Sequence, residues 1–447
     1  MSIRLPRARS PHQHGTRRAR TACAALATAA LATSLAACGF VNSPDEGGEE
    51  TGGGEGGGTV TAYVNTEQNT GLAPLIDAFE EETGTTLDLS SATTDELNQQ
   101  LRVQLTSGTA ADLIRVSPGN SSPVAAGVLG REGELADVSD AAWTESLTDD
   151  TRSLAQVDDQ VVAFPVSRNA IVMAFNRQVF EDAGVEVPTT WSELLDACAA
   201  LDAAGVTPIA TPFQGGIYFQ FWVYALAATL VYAENPDIDA QMADGETSFV
   251  DNAEWNEVFD RIAELNDAGY FSDGMLGIPP DQGLQSVATG ESAMVLLVSA
   301  GLPQLYGYNE AGAEAFDVFA LPGNDDAAST YVPIAPDFLA INANAENPDG
   351  ARAFLDFLAE PENVEAYANE MGVLPGLGVD VTLDSDALEP IMPMFDEGRT
   401  AGYANYLWPN GDVQQTMLQS GQEWLDGSID TANLLGQMDT EYAKGTP

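Results

Sequence analysis

VVAFPVSRNAIVMAFNRQVFEDAGVEVPTTWSELL, residues 161 to 195, is the stretch from which the fold can be read. An apolar run (Val161, Val162, Phe164) breaks at Pro165, resumes as Ala170-Ile-Val-Met-Ala-Phe175 and turns at Asn176. This predicts two strands sharing one connection and buried on both faces, as in parallel sheets covered by helices. Pro188-Thr-Thr-Trp191 then supplies a turn and a capping hydroxyl, and Leu194, Leu195, Cys198 and Leu201 share one face of the next helix. The polar trio Ser167-Arg168-Asn169 falls where the chain passes from one sheet into another, the position of a hinge.

Outward from this stretch the pattern repeats. Residues 60–65, 86–90 and 112–116 read as strands, separated by helices whose stripes are Leu72, Leu75, Ile76 and Phe79, then Leu97, Leu101 and Leu105. Strand–helix alternation predicts an α/β sheet with helices on both faces, and the loops at the strand ends (65–69, 91–94 and 117–121) are where such sheets bind ligands. Past the hinge, Asn252 caps a helix carrying Trp255, Val258, Phe259, Ile262 and Leu265. Residues 293–299, 316–321 and 331–341 read as further strands, the first leading back toward the first lobe. Residues 349–358, 411–424 and 429–443 read as helices of the second lobe.

Composition bounds the function. Residues 1–37 read as a processing segment: six arginines from Arg4 to Arg20, an Ala/Leu-rich run too short to span a bilayer, then Leu35-Ala-Ala-Cys38-Gly, the form of a lipobox that would place a lipid on Cys38. The chain from Cys38 onward holds ten basic and 68 acidic residues, a field that repels nucleic acid and anionic lipid. Both histidines, His12 and His14, leave with the signal, which removes Ser-His-Asp and Cys-His catalysis and His-based metal sites; no cofactor or metal is expected. Cys198, on an apolar helix stripe, reads as a buried inert thiol. Residues 38–58, rich in glycine and glutamate, cannot bury a core and read as a flexible tether. The 410 residues after the signal suggest two domains.

The hinge stretch, together with Phe180-Glu-Asp-Ala-Gly184, Pro188-Thr-Thr-Trp191, Ala204-Gly-Val-Thr-Pro208, Asn266-Asp-Ala-Gly-Tyr-Phe271, Thr289-Gly-Glu-Ser-Ala-Met294, Ala320-Leu-Pro-Gly323 and Gly372-Val-Leu-Pro375, resembles in order and spacing the extracellular solute-binding proteins of ABC importers, in the sugar-binding branch that includes maltose-binding protein. The resemblance implies a two-lobed type II binding-protein fold, with residues 59–166 and 299–338 in the first lobe, residues 167–298 and 339–447 in the second, and three connections between them. It implies a monomer, held to the outer face of the membrane by its lipid alone, that captures a sugar or oligosaccharide and delivers it to permease subunits. Asn65, Glu67, Gln68, Ser117, Asn120 and Asn169 match contact positions of the first lobe and hinge. Asp337 is a further candidate on the strand through Phe338, and Tyr218 and Trp408 match stacking aromatics of the second lobe. Tyr403 and Tyr406 join Trp408 in a loop without helical or strand spacing, where rings need a partner. In place of the family's tryptophan after Ala293-Met294 this chain has Ser299-Ala-Gly301.

Each residue has a plainer explanation: Asn65 can end a strand, Glu67 can be one more solvated acid, and Trp191 and Trp255 read as packing. Two other functions stay open on sequence alone. A secreted glycoside-acting enzyme would also use carboxylates and aromatics in a cleft, and the acidic charge would attract a polyamine or metal complex. Anions are disfavoured because no basic cluster is present to pair them.

Overall fold

The computed structural model describes residues 58–445, apart from Ser385 and the side chain of Asp95. The signal segment, Cys38 and all of the tether except Gly58 lie outside these residues. Twelve strands are found among them: β1 (Gly58–Asn65), β2 (Thr85–Ala92), β3 (Leu113–Val116), β4 (Gln156–Val157), β5 (Gln160–Val161), β6 (Phe164–Asn176), β7 (Thr207–Ala210), β8 (Ser292–Val298), β9 (Phe316–Phe319), β10 (Val332–Ile341), β11 (Leu374–Pro375) and β12 (Thr400–Gly402). β4 and β5 pair with each other, and the other ten form one sheet along the path β2-β1-β3-β10-β6-β8-β7.

The hinge stretch corrects the sequence reading twice. It forms one strand of 13 residues rather than two, and it runs antiparallel to β8, β9, β10 and β11. Pro165 is tolerated because the β6–β10 register already shifts beside it: Ser167 pairs with Asp337 but Pro165 with Phe338, leaving Val166 as the extra residue of a bulge. Burial on both faces is real, but it comes from helices and side chains above and below the sheet and says nothing of strand direction.

Alternate residues of β6 serve opposite faces. Ile171, Met173 and Phe175 enter one core with Trp191, Trp222, Trp255 and Phe259, while Ala170, Val172 and Ala174 enter another with Leu284, Leu297, Leu305 and Ile334. Together these make the second lobe. The first-lobe core gathers Val60, Val64, Phe79, Leu101, Ile114 and Phe164.

Lobe membership differs from the expectation in two segments. Leu302, Leu305, Phe316, Val318 and Val332 pack in the second lobe. Helices Pro348–Leu358 and Pro361–Met371 pack on the first, where Phe354 and Phe357 lie 5.0 and 5.5 Å from the Phe79 ring. An apolar helix stripe tells that a face is covered, not which sheet covers it. β6 and β10 both cross between lobes, and the third passage lies between Leu377 and Leu388. β8, expected to lead back to the first lobe, stays within the second.

Local signals hold these elements in place. Thr93 and Glu96 form a reciprocal capping box, Thr190 accepts from the Glu193 amide, and Asn252 accepts from the Trp255 amide. Cys198 is fully buried, and burial pushes its thiol up to about 12, which makes it unreactive.

Candidate ligand-binding cleft

Three segments converge at the end of β3. Residues 117–125 follow β3, residues 403–411 follow β12, and helix Thr66–Thr83 begins directly after β1. β12 runs parallel to β10 with Gly402 opposite Ile334, and the loop that follows reaches the first lobe, where Tyr406 packs. The Asn120 amide donates to the Tyr406 carbonyl at 2.6 Å. Gly119 permits this approach, since its φ is +56° and a Cβ there would lie 2.1 Å from the Tyr406 oxygen.

An ion pair lies beneath this seam. Arg115 Nε donates to Asp337 Oδ1 at 3.1 Å and Arg115 Nη1 to Ser117 Oγ at 3.1 Å. The Tyr403 and Tyr406 rings stack beside it with centroids 5.3 Å apart and 14° between planes, and Tyr224 lies 5.2 Å from Tyr403. Burial first, then Tyr403 and Tyr224, hold the Tyr406 hydroxyl well above its usual range. Burial does the same for Tyr403, so both phenols stay neutral and able to donate. Gln68 Oε1, Ser122 Oγ, Tyr403 Oη and Asn405 Oδ1 are buried without a protein partner.

The structure thus brings Ser117, Asn120, Asp337, Tyr403 and Tyr406 together. Gln68 stands behind them, its Nε2 donating to the Phe338 carbonyl at 3.3 Å. Glu67 is exposed and, with Asp337, helps burial raise the Tyr367 hydroxyl above its ordinary value. Asn65 is spent locally: its Oδ1 accepts the Gln68 amide at 2.7 Å as the helix cap. Asn169 meets Ser299, whose Oγ also accepts from the Ala170 amide at 3.1 Å. Tyr218 stands apart, with Phe221 at 5.3 Å, and burial, Asp281 and Tyr308 push its hydroxyl up to about 12.

Trp408 corrects the expectation of a stacking platform. It is fully buried, with Phe249 at 5.3 Å, Trp255 at 6.1 Å and Tyr224 at 6.4 Å. Its ring anchors the loop in the second-lobe core, while Tyr406 packs in the first-lobe core and Tyr403 lies against both.

Sequence reasoning missed Arg115, Gly119 and Tyr224. The signal for Arg115 was available: a charge inside the apolar strand Leu113-Ile114-Arg115-Val116 needs a buried partner.

At the hinge, Arg168 is 8% exposed and donates from Nε to the Pro375 carbonyl at 2.7 Å. It pairs with Asp150 at 3.5 Å and lies over the Phe395 ring at 5.3 Å. A cavity of about 610 Å³ opens beside it, with Thr148 and Asp150 from the first lobe and Tyr232, Tyr331 and Phe395 from the second. Among the described residues no cluster suits a metal ion, and no helix is long and apolar enough to cross a membrane.

Two lobes hung on shared strands, with a polar seam where they meet, define the class of two-lobed solute-binding proteins. The chain belongs to the bacterial extracellular solute-binding protein family, whose pattern matches residues 63–365. A probable sugar-binding periplasmic protein of Rhizobium meliloti (strain 1021) is 28% identical over 226 residues, 47% of this chain and 50% of that protein. The sn-glycerol-3-phosphate-binding periplasmic protein UgpB of Escherichia coli (strain K12) is 27% identical over 220 residues, 47% of this chain and 48% of that one. The chain thus spans about half the length of these curated relatives. A family 1 extracellular solute-binding protein from Bifidobacterium longum subsp. infantis shares the fold, with a TM-score of 0.73 at 19% identity over 87% of this chain and 100% of that one. The two-lobed α/β class expected from the sequence is therefore found, and the family is one of binding proteins rather than enzymes.

Proposed function

We propose that this chain is the substrate-binding protein of an ABC importer and takes a carbohydrate into the seam between its lobes. The observation that carries this reading is the set of unpartnered buried polar atoms there, Gln68 Oε1, Ser122 Oγ, Tyr403 Oη and Asn405 Oδ1, beside the stacked Tyr403 and Tyr406 rings. Leaving one such atom unpaired costs about 1–3 kcal/mol, which a hydroxyl-rich solute would recover. Rings beside hydrogen-bonding groups suit the apolar faces and hydroxyl rims of a sugar. Closure would follow from one ligand touching both lobes, so that binding and closing are the same event.

The test is calorimetric titration with neutral mono- and oligosaccharides on wild type and Tyr403→Phe. Because the hydroxyl has no protein partner, its loss should not lower the melting temperature and should weaken sugar binding roughly three- to tenfold. Equal affinities would remove Tyr403 from the site, and a wild type that binds no sugar would end the reading.

The same proposal places the protein on the outer face of the membrane as a monomer anchored through Cys38, with the tether giving it reach to permease subunits. The Leu35-Ala-Ala-Cys38 placement supports it. Cys38→Ala should move the protein from the membrane to the soluble fraction; a variant that stays with membranes would refute the anchor.

A further inference from the structure

We propose that Asp337 is a specificity-determining residue: by holding the Arg115 guanidinium it excludes anionic solutes and restricts the seam to neutral polyhydroxy ligands. This deepens the carbohydrate reading of the seam and rests on it.

The ion pair is built across two strands. Arg115 stands on β3 and Asp337 on β10, near the β6–β10 register shift, and their side chains are 12% and 17% exposed. Arg115 spends Nε on Asp337 and Nη1 on Ser117, each at 3.1 Å. An unpaired guanidinium at that depth would be a ready fork for a phosphate or carboxylate. Paired, it is neutralised in place, and an incoming anion meets Asp337 at contact range, with the charge of Glu67 also felt at the Tyr367 hydroxyl that Asp337 raises. A hydroxyl meets no such conflict, because it can accept from the guanidinium and donate to the carboxylate at once.

The other arginines near the lobe boundary do not change this balance: Arg168 at the hinge is itself paired with Asp150. Arg131 is exposed, donates from Nη2 to Asn120 Oδ1 at 2.9 Å, and lies close enough to Glu132 to help lower that carboxyl. Arg115 is thus the half-buried cation of the seam, and one carboxylate decides what it can take.

The test compares full-length wild type, Asp337→Asn and the double variant Asp337→Asn with Arg115→Gln. The anionic probes are sn-glycerol 3-phosphate and glucose 6-phosphate; the neutral probes are galactose, maltose and raffinose. Wild type should bind neither anion at about 10 mM, Asp337→Asn should bind at least one of them with affinity roughly tenfold or more greater, and the double variant should lose that gain. Asp337→Ser repeats the measurement should the asparagine variant melt early. Anion binding by wild type at ~1 mM or below, or no gain in either carboxylate-free variant, would overturn the proposal. The neutral probes are scored separately: their failure on wild type would sink the sugar reading, while the anion comparison still judges Asp337.

Discussion

Asp239 sets a measurable pH dependence. Its side chain lies in helix Ile238–Ala243 at 8% exposure, where the Tyr232 hydroxyl donates to Oδ1 at 3.3 Å and Oδ2 has no partner. The Tyr442 hydroxyl is spent on the Asp239 backbone carbonyl, and among the described residues no arginine or lysine forms an ion pair with the carboxylate. Burial pushes the carboxyl from its ordinary 3.8 up to about 7, with the Tyr232 bond pulling the other way. The folded state therefore keeps a proton that the unfolded chain has released. Its stabilising effect is full below about pH 4 and is lost as pH rises toward 7. A rise of about 3 units at about 1.4 kcal/mol each gives a total loss of roughly 4 kcal/mol. Asp239→Asn keeps the shape and cannot ionise. Urea unfolding of both proteins at about pH 5 and about pH 7.5 should show their stability difference moving by about 2–3 kcal/mol in favour of the variant at the higher pH. Taking the difference cancels opposing carboxylates such as Asp112, whose depressed value comes from hydrogen bonds donated by Thr61 and Asn347 against the effect of burial. A difference that does not move with pH would refute the account.

Two further outcomes concern the 403–411 loop. Gly119→Ala would drive a Cβ to 2.1 Å from the Tyr406 carbonyl in a left-handed backbone, so hydrogen exchange should show the Asn120 amide losing its protection while Ile114 in the core keeps it; unchanged protection of Asn120 would show that the seam yields. Trp408→Ala should cost about 3–5 kcal/mol of stability as a core deletion, and an unaltered melting temperature with impaired sugar binding would return Trp408 to the cleft.

How much was legible in the sequence depends on the reach of each signal. Helix stripes such as Trp255-Val258-Phe259-Ile262-Leu265 and caps such as Asn252 are local, and both are found. The direction of β6 was hidden because Val172, Met173 and Ala174 would be equally buried beside parallel or antiparallel neighbours. The lobe that owns helix Pro348–Leu358 was hidden for a related reason, since Phe354 meets Phe79 across more than half the chain. At the seam, aromatics between glycines and a proline were read as one ligand-contacting group. Tyr403 and Tyr406 do stack there, whereas Trp408 points the other way, a distinction that no spacing rule encodes. Asn65 was legible in its plainer sense, as the residue that ends β1 and caps the next helix.

The first lobe is made from two distant pieces of chain. Its opening strand is fastened late, when the Asn347 side chain donates to the Thr59 carbonyl and the Asn347 amide to Asp112, and helices 348–371 cover Phe79 only after that. A polypeptide emerging from its N-terminus can therefore assemble neither this core nor its share of the seam until about four-fifths of the sequence has appeared, because the closing contacts lie far along the chain. The last helices to emerge, Asp412–Leu425 and Thr431–Tyr442, then complete the second lobe. Such an order leaves the first lobe unfinished through most of synthesis and makes the seam a property of the finished molecule alone.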